Sequence, residues 1–126
     1  MAETVGAALI ENGCVLLGLR AAHKSYAGRW DLIGGHVECG EPVWAALSRE
    51  LTEELGIPVV RGDYITTLTL PDLSILHAYA VTSWQGDPVV QNDEHVEVRW
   101  FALDEAARLA NLATSRYREL FASLSD

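Results

Sequence analysis

Between Gly35 and Ile57 the chain reads Gly-x5-Glu-x7-Arg-Glu-Leu-x-Glu-Glu-x-Gly-Ile, a run that places several carboxylates on one short helix. Glu50, Glu53 and Glu54 stand at i, i+3 and i+4, which makes them neighbours on one helix surface. Like charges at that spacing destabilise an isolated helix by roughly 0.2–0.5 kcal/mol per pair. Arg49 can pair with Glu53 at i+4, yet one base against three acids leaves a surplus. Trp44, Leu47, Leu51 and Leu55 form an apolar stripe on a different arc. A Gly34-Gly35 turn precedes the helix, Pro42 falls in its first turn, and Gly56 lies where a helix would stop. An acidic run alone is usually a solvated face. Here the combination predicts a rigid helix, packed by its stripe, that presents carboxylates to a cleft. Clustered hard oxygens suit Mg²⁺ or Mn²⁺.

The remainder alternates strands with helices and contains no linker, repeat or low-complexity tract. Val5 to Ile10 and Cys14 to Arg20 read as strands joined at Glu11-Asn12-Gly13, a strong hairpin signal. Residues 21–28 read as a polar loop, and Trp30 to Ile33 as a short strand. Val59 to Leu70 and Ser74 to Trp84 read as longer strands around Pro71-Asp72, followed by a turn at Gln85-Gly86-Asp87-Pro88. His95 to Phe101 is a further strand, and Leu103 to Ala110 and Ser115 to Leu124 are helices. At 126 residues the chain suits one domain, residues 1–126, with an α/β architecture.

Composition narrows the partners. A formal charge of −9 argues against a nucleic-acid polymer, whose binders carry basic stripes. No apolar run approaches the roughly 20 residues of a membrane span, and the start Met1-Ala2-Glu3-Thr4 lacks a basic signal-peptide head. Cys14 and Cys39 form no CxxC pair and read as reduced thiols in a cytoplasmic protein. Oligomeric state, monomer or homodimer, is open.

Gly35, Glu41, Arg49, Glu50, Leu51, Glu53, Glu54, Gly56 and Ile57 together resemble the Nudix box, the motif of the Nudix hydrolases, at every specified position. Gly28-Arg29-Trp30-Asp31-Leu32, leading into Gly34-Gly35, is similar to the usual approach to that box. Ile33 stands where many relatives carry Pro; it removes no ligand or charge and bears on loop shape or substrate choice. The resemblance implies a Nudix-type α/β/α sandwich with a mixed sheet between helices. It implies divalent-metal-dependent hydrolysis of a phosphoanhydride in a nucleoside diphosphate linked to another group. The short chain resembles small mutator-type members, which convert a (d)NTP, oxidised dGTP included, to NMP and pyrophosphate. Hydrolysis of ADP-ribose, a nucleotide sugar or a dinucleoside polyphosphate is the alternative. So is a non-catalytic nucleotide-binding module, although all three box glutamates are present.

By position in the motif, Glu50, Glu53 and Glu54 correspond to the metal-binding glutamates, with the Gly35 carbonyl completing the shell. Glu50 is the expected water-activating base, and Arg49 an orienting partner of the acids. Glu41 is expected to accept hydrogen bonds near the helix start. Relatives often carry a further metal-binding acid before a Trp, which points to Glu94, with Glu97 in reserve. His95 reads as a loop or strand-edge residue, since imidazole matches Mg²⁺ poorly. Arg20, Lys24 and Arg29 flank the approach to the glycines and are candidates for substrate phosphates, Arg20 first. Tyr26, Trp30 and Trp100 are candidates to stack a base, although aromatics more often simply pack. Asn111, Thr114 and Ser115 are further candidates for base contact, and His77 for a cleft wall.

Overall fold

The computed structural model describes residues 2–124. Its strands are β1 (Glu3–Glu11), β2 (Cys14–Arg20), β3 (Trp30–Asp31), β4 (Ile33–His36), β5 (Val59–Thr69), β6 (Ile75–Trp84) and β7 (His95–Ala102). Its helices are α1 (Val43–Leu55), α2 (Leu103–Ala106) and α3 (Tyr117–Leu124). The β1–β2 hairpin turns at Asn12 (φ 53°) and Gly13 (φ 75°), the two positive φ values that a two-residue turn needs to match strand twist.

All seven strands join one sheet with the path β3-β2-β1-β6-β5; β4 pairs with β1, and β7 with β2. The β1–β6 pair is parallel and the others are antiparallel, so the sheet is mixed. Alternation along β1 sends Val5, Ala7 and Leu9 to one face and Ala8 to the other. The first face packs against Ala46, Leu47, Leu51 and Leu55 of α1. The second packs against Leu103, Ala106, Tyr117, Leu120 and Phe121 of α2 and α3. Each fully buried leucine of α1 contributes about 2 kcal/mol of apolar transfer energy. The result is an α/β/α sandwich.

Several local expectations need correction. Gly34 and Gly35 lie within β4 and pair with Gly6 and Val5. The reason is steric: a Cβ on Gly34 would overlap the Val5 carbonyl oxygen. Glycine here permits close approach of two strands. The strand expected over Trp30–Ile33 breaks at Leu32, where the chain leaves β2 for β1. Pro42 is the N-cap of α1 rather than a residue of its first turn, and Gly56 closes the helix at φ 69° with its N–H on Thr52 O. The helix expected over Leu103–Ala110 stops at Ala106, and the last one begins at Tyr117 instead of Ser115. Cys14 and Cys39 are free thiols. Among the described residues, no helix is long and apolar enough to cross a membrane.

Candidate active site

Helix α1 carries Glu50 and Glu54 beside its buried stripe, and both are themselves buried, whereas Glu53 is exposed. The acids therefore adjoin the stripe; the separate arc expected from spacing holds only for Glu53. Glu94, just before β7, comes to the same place from the far side of the sequence. Carboxylate oxygens of Glu50, Glu54 and Glu94 lie within 4.8 Å of one another. Neither Glu53 nor the reserve acid Glu97 belongs to this group; Glu97 bonds Arg99 at 3.1 Å.

Burial and mutual repulsion make the cluster uncomfortable. Glu54 is 2% exposed, and neither of its carboxylate oxygens has a hydrogen-bond partner of good geometry. Burial, reinforced by Glu94 and Glu50, pushes its pKa up to about 11. Burial also raises Glu50, against the opposing pull of Arg49. For Glu94 burial raises the carboxyl too, but Glu54, Lys24 and Arg20 outweigh it and hold it below the usual value. Two neighbouring buried carboxyls, one of them with both oxygens unsatisfied, are costly unless a cation neutralises them. The donor set is all oxygen, which fits a hard divalent ion.

Gly35 forms the wall opposite Glu50, and a Cβ there would overlap Glu50 Oε1. Arg49 braces this arrangement. Its Nε and Nη2 bond the two Glu41 oxygens at 2.9 and 3.0 Å, and Nη1 bonds Glu50 Oε2 at 2.7 Å. Nη2 also reaches His36 O at 3.0 Å. The expected i+4 partner, Glu53, stands farther away at 3.5 Å. Glu41 thus receives Arg49 as well as the Glu38 N–H, and Arg49 holds its carboxyl below the ordinary value.

His95 is not the loop or strand-edge residue expected from its type but part of the site. It opens β7 but is 4% exposed, with Nδ1 at 3.2 Å from Glu54 Oε1. Burial, followed by Arg20, depresses its pKa to about 4, so the ring is neutral near pH 7. With Glu54 protonated as well, the contact is between neutral groups and not a salt bridge. Gly18 makes room for the ring, since a Cβ there would overlap it. A short strand pattern carries no signal for this placement.

A cleft of about 280 Å³ opens from Gly34, Gly35 and Glu94 toward Tyr26, Asp31 and Tyr117. Arg20 and Lys24 line it, and Arg29 does not. Lys24 Nζ lies 3.3 Å from Glu94 Oε1; Arg20 Nε lies 3.9 Å from Asp31 Oδ2 and bonds Ser25 O at 3.1 Å. At the inner end the Tyr117 hydroxyl donates to Asp31 Oδ1 at 2.6 Å. Burial raises Asp31, with Tyr117 and Arg20 opposing. Neither Asp31 nor Tyr117 stood out in the sequence. Of the expected stacking residues only Tyr26 lines the cleft. Trp30 packs edge-on against Phe101 at 4.9 Å, and Trp100 stacks on Trp84 at 6.1 Å. Asn111 bonds Gly28 O, the Thr114 hydroxyl accepts the Arg116 N–H, and His77 meets Glu3 at 3.0 Å.

The NUDIX domain family matches residues 2–124. The chain belongs to this family. A CTP pyrophosphohydrolase of Escherichia coli is 37% identical over 109 residues, covering 84% of this chain and 79% of that protein. An oxidized purine nucleoside triphosphate hydrolase of Danio rerio is 30% identical over 105 residues, covering 77% and 64%. The MutT NUDIX hydrolase from Burkholderia pseudomallei superposes with a TM-score of 0.85 at 32% identity, covering 96% and 95% of the two chains. The chain is a Nudix hydrolase with an acidic cluster suited to a divalent ion.

Proposed function

We propose that this Nudix hydrolase converts a (d)NTP to NMP and pyrophosphate with Mg²⁺ or Mn²⁺, residues 1–126 acting as one domain. The observation that carries the reading is the Glu50–Glu54–Glu94 cluster, which meets through Glu94 and Gly35 a cleft lined by Arg20 and Lys24. Relatives named for CTP and for oxidised purine triphosphates support a triphosphate over ADP-ribose or a nucleotide sugar.

Glu50, Glu54 and Glu94, with the Gly35 carbonyl, would hold the cation, and Glu53 would join through its position on α1. The bound ion supplies charge neutralisation of phosphate oxygens and a lowered pKa for attacking water. Glu50 accepts the proton of that water. Arg49 aims Glu50 by its 2.7 Å bond while Glu41 fixes the guanidinium from behind. Lys24 and Arg20 receive the phosphate chain, Lys24 exchanging its contact with Glu94 for a phosphate oxygen. Arg29 stands outside the cleft wall and is the weakest of the three phosphate candidates. Asp31, Tyr117 and Tyr26 face the nucleoside end. The partner is thus a small-molecule nucleotide.

The test is release of pyrophosphate and phosphate from a panel of ordinary and oxidised dNTPs, CTP, ADP-ribose, nucleotide sugars and dinucleoside polyphosphates, with Mg²⁺ and with chelator. Metal-dependent pyrophosphate release from a triphosphate is the expected result. Faster turnover of a sugar or dinucleoside substrate overturns the triphosphate assignment. Nucleotide binding without any turnover would identify a binding module.

A further inference from the structure

Two long strands of the sheet, β5 and β7, each pair with a single neighbour among the described residues, and they are built differently. β5 pairs with β6, and β7 with β2. The β5 ladder is interrupted by three register shifts, between Val59 and Arg61, Arg61 and Gly62, and Tyr64 and Thr66. Bulges of this kind protect an edge from pairing with another chain. The β7 ladder runs without a shift from Glu97 to Ala102; its one irregularity falls at the His95 end. β7 contains neither Pro nor Lys, the residues that commonly blunt an edge.

The sequence of β7 is also self-complementary about Val98. Glu97 and Arg99 flank that residue on the face toward Phe101 and already form a 3.1 Å pair within the strand. Val96 and Trp100 flank it on the opposite face, 65% and 37% exposed. They are two of the six exposed large apolar side chains among the described residues; Val60 and Tyr64 lie on the bulged β5, and Leu73 and Val89 lie outside the strands. Val98 between them packs partly against the α1 core, and Trp100 rests on Trp84. In an antiparallel pair of identical strands centred on Val98, residues equidistant from the centre face one another. Glu97 then meets Arg99 of the other copy, Val96 meets Trp100, and each contact occurs twice. Cross-strand pairs of both kinds stabilise a sheet.

We propose that β7 is a self-association surface, at which two copies of this chain join edge to edge in a two-fold antiparallel pair centred on Val98. The partner is a second copy because the charge order and the apolar order along the strand each complement themselves. A two-fold contact of this kind closes on itself and gives a dimer, not a filament. The formal charge of −9 on each chain opposes association, so the pair forms where salt screens it.

Sedimentation velocity on the full chain, over the micromolar range at about 0.15 M salt, reads the dissociation constant directly. The expected result is a reversible monomer–dimer equilibrium. Glu97→Arg or Arg99→Glu alone places like charges opposite each other twice and weakens the dimer about tenfold or more. The exchange Glu97→Arg with Arg99→Glu restores it to near the original value. Val96→Lys, at a side chain that packs on neither core cluster, abolishes the dimer while circular dichroism stays native. Arg61→Glu on β5 leaves it unchanged. A monomer at every concentration overturns the proposal. So does a dimer indifferent to Glu97→Arg and Val96→Lys, or one lost in Arg61→Glu.

Discussion

His95 Nδ1 sits 3.2 Å from Glu54 Oε1, and both side chains are sealed from solvent. One belongs to β7 and the other to α1, so the sheet and the helix meet at this contact. Neutral His95 packs directly behind the carboxylate that would face the cation. Groups behind a ligand commonly tune metal affinity ten- to a hundredfold. His95→Phe keeps a flat ring above Gly18 and removes the nitrogen. It should raise the Mg²⁺ concentration needed for half-maximal activity about tenfold, with the melting temperature little changed. An unaltered Mg²⁺ requirement would reduce His95 to a packing residue.

Glu54 makes stability and cation binding depend on pH. Its folded pKa, about 11, lies above the ordinary 4.5, so folding takes up a proton between those values. Stability without metal therefore falls as pH rises through that window. A bound cation displaces the proton, so Mg²⁺ should raise the melting temperature more at about pH 9 than at about pH 6. Glu54→Gln should remove the part of the pH slope that extends toward pH 11 and should abolish the Mg²⁺ shift. Equal Mg²⁺ shifts at the two pH values would contradict this account.

Glu50→Gln removes the proposed base while keeping the shape of the side chain. The expected loss in kcat is about 10²–10⁴-fold, the usual range for a general base. Circular dichroism should be native. Turnover within a few-fold of the parent would reassign the base.

Arg49→Lys tests positioning. Lysine cannot make the two-point contact with Glu41 and still reach Glu50. We expect kcat to drop about ten- to a hundredfold with KM nearly constant, because aim and not binding is lost. Steady-state kinetics separate the two; a rise in KM alone would place Arg49 on the substrate.

The adjacent glycines should respond differently to alanine. A methyl at Gly34 meets the Val5 backbone, which cannot move without opening the β1–β4 pair. One at Gly35 meets the Glu50 carboxylate, which can swing aside. Gly34→Ala should cost about 1–3 kcal/mol or more of stability in urea unfolding. Gly35→Ala should unfold near the parent midpoint while losing most of its activity. Matching stability losses in the two variants would sink the distinction.

What the residue order determined by itself was local. Asn12-Gly13 has the backbone freedom of a two-residue turn, the Trp44–Leu55 spacing writes a helix with a buried stripe, and Gly56 ends it. The box pattern was enough to name the family, because its residue types recur at fixed short spacings. Only the tertiary structure decided that Glu94 joins Glu50 and Glu54, that Glu53 stands apart in solvent, and that His95 lies beneath Glu54. The same holds for Tyr117 reaching Asp31 across 86 positions of chain. Periodicity reports which face a side chain takes relative to its own neighbours. Which faces then meet depends on strand register and on how α1 and α3 settle onto opposite sides of the sheet, and desolvation follows from that meeting, as the burial of Glu54 shows.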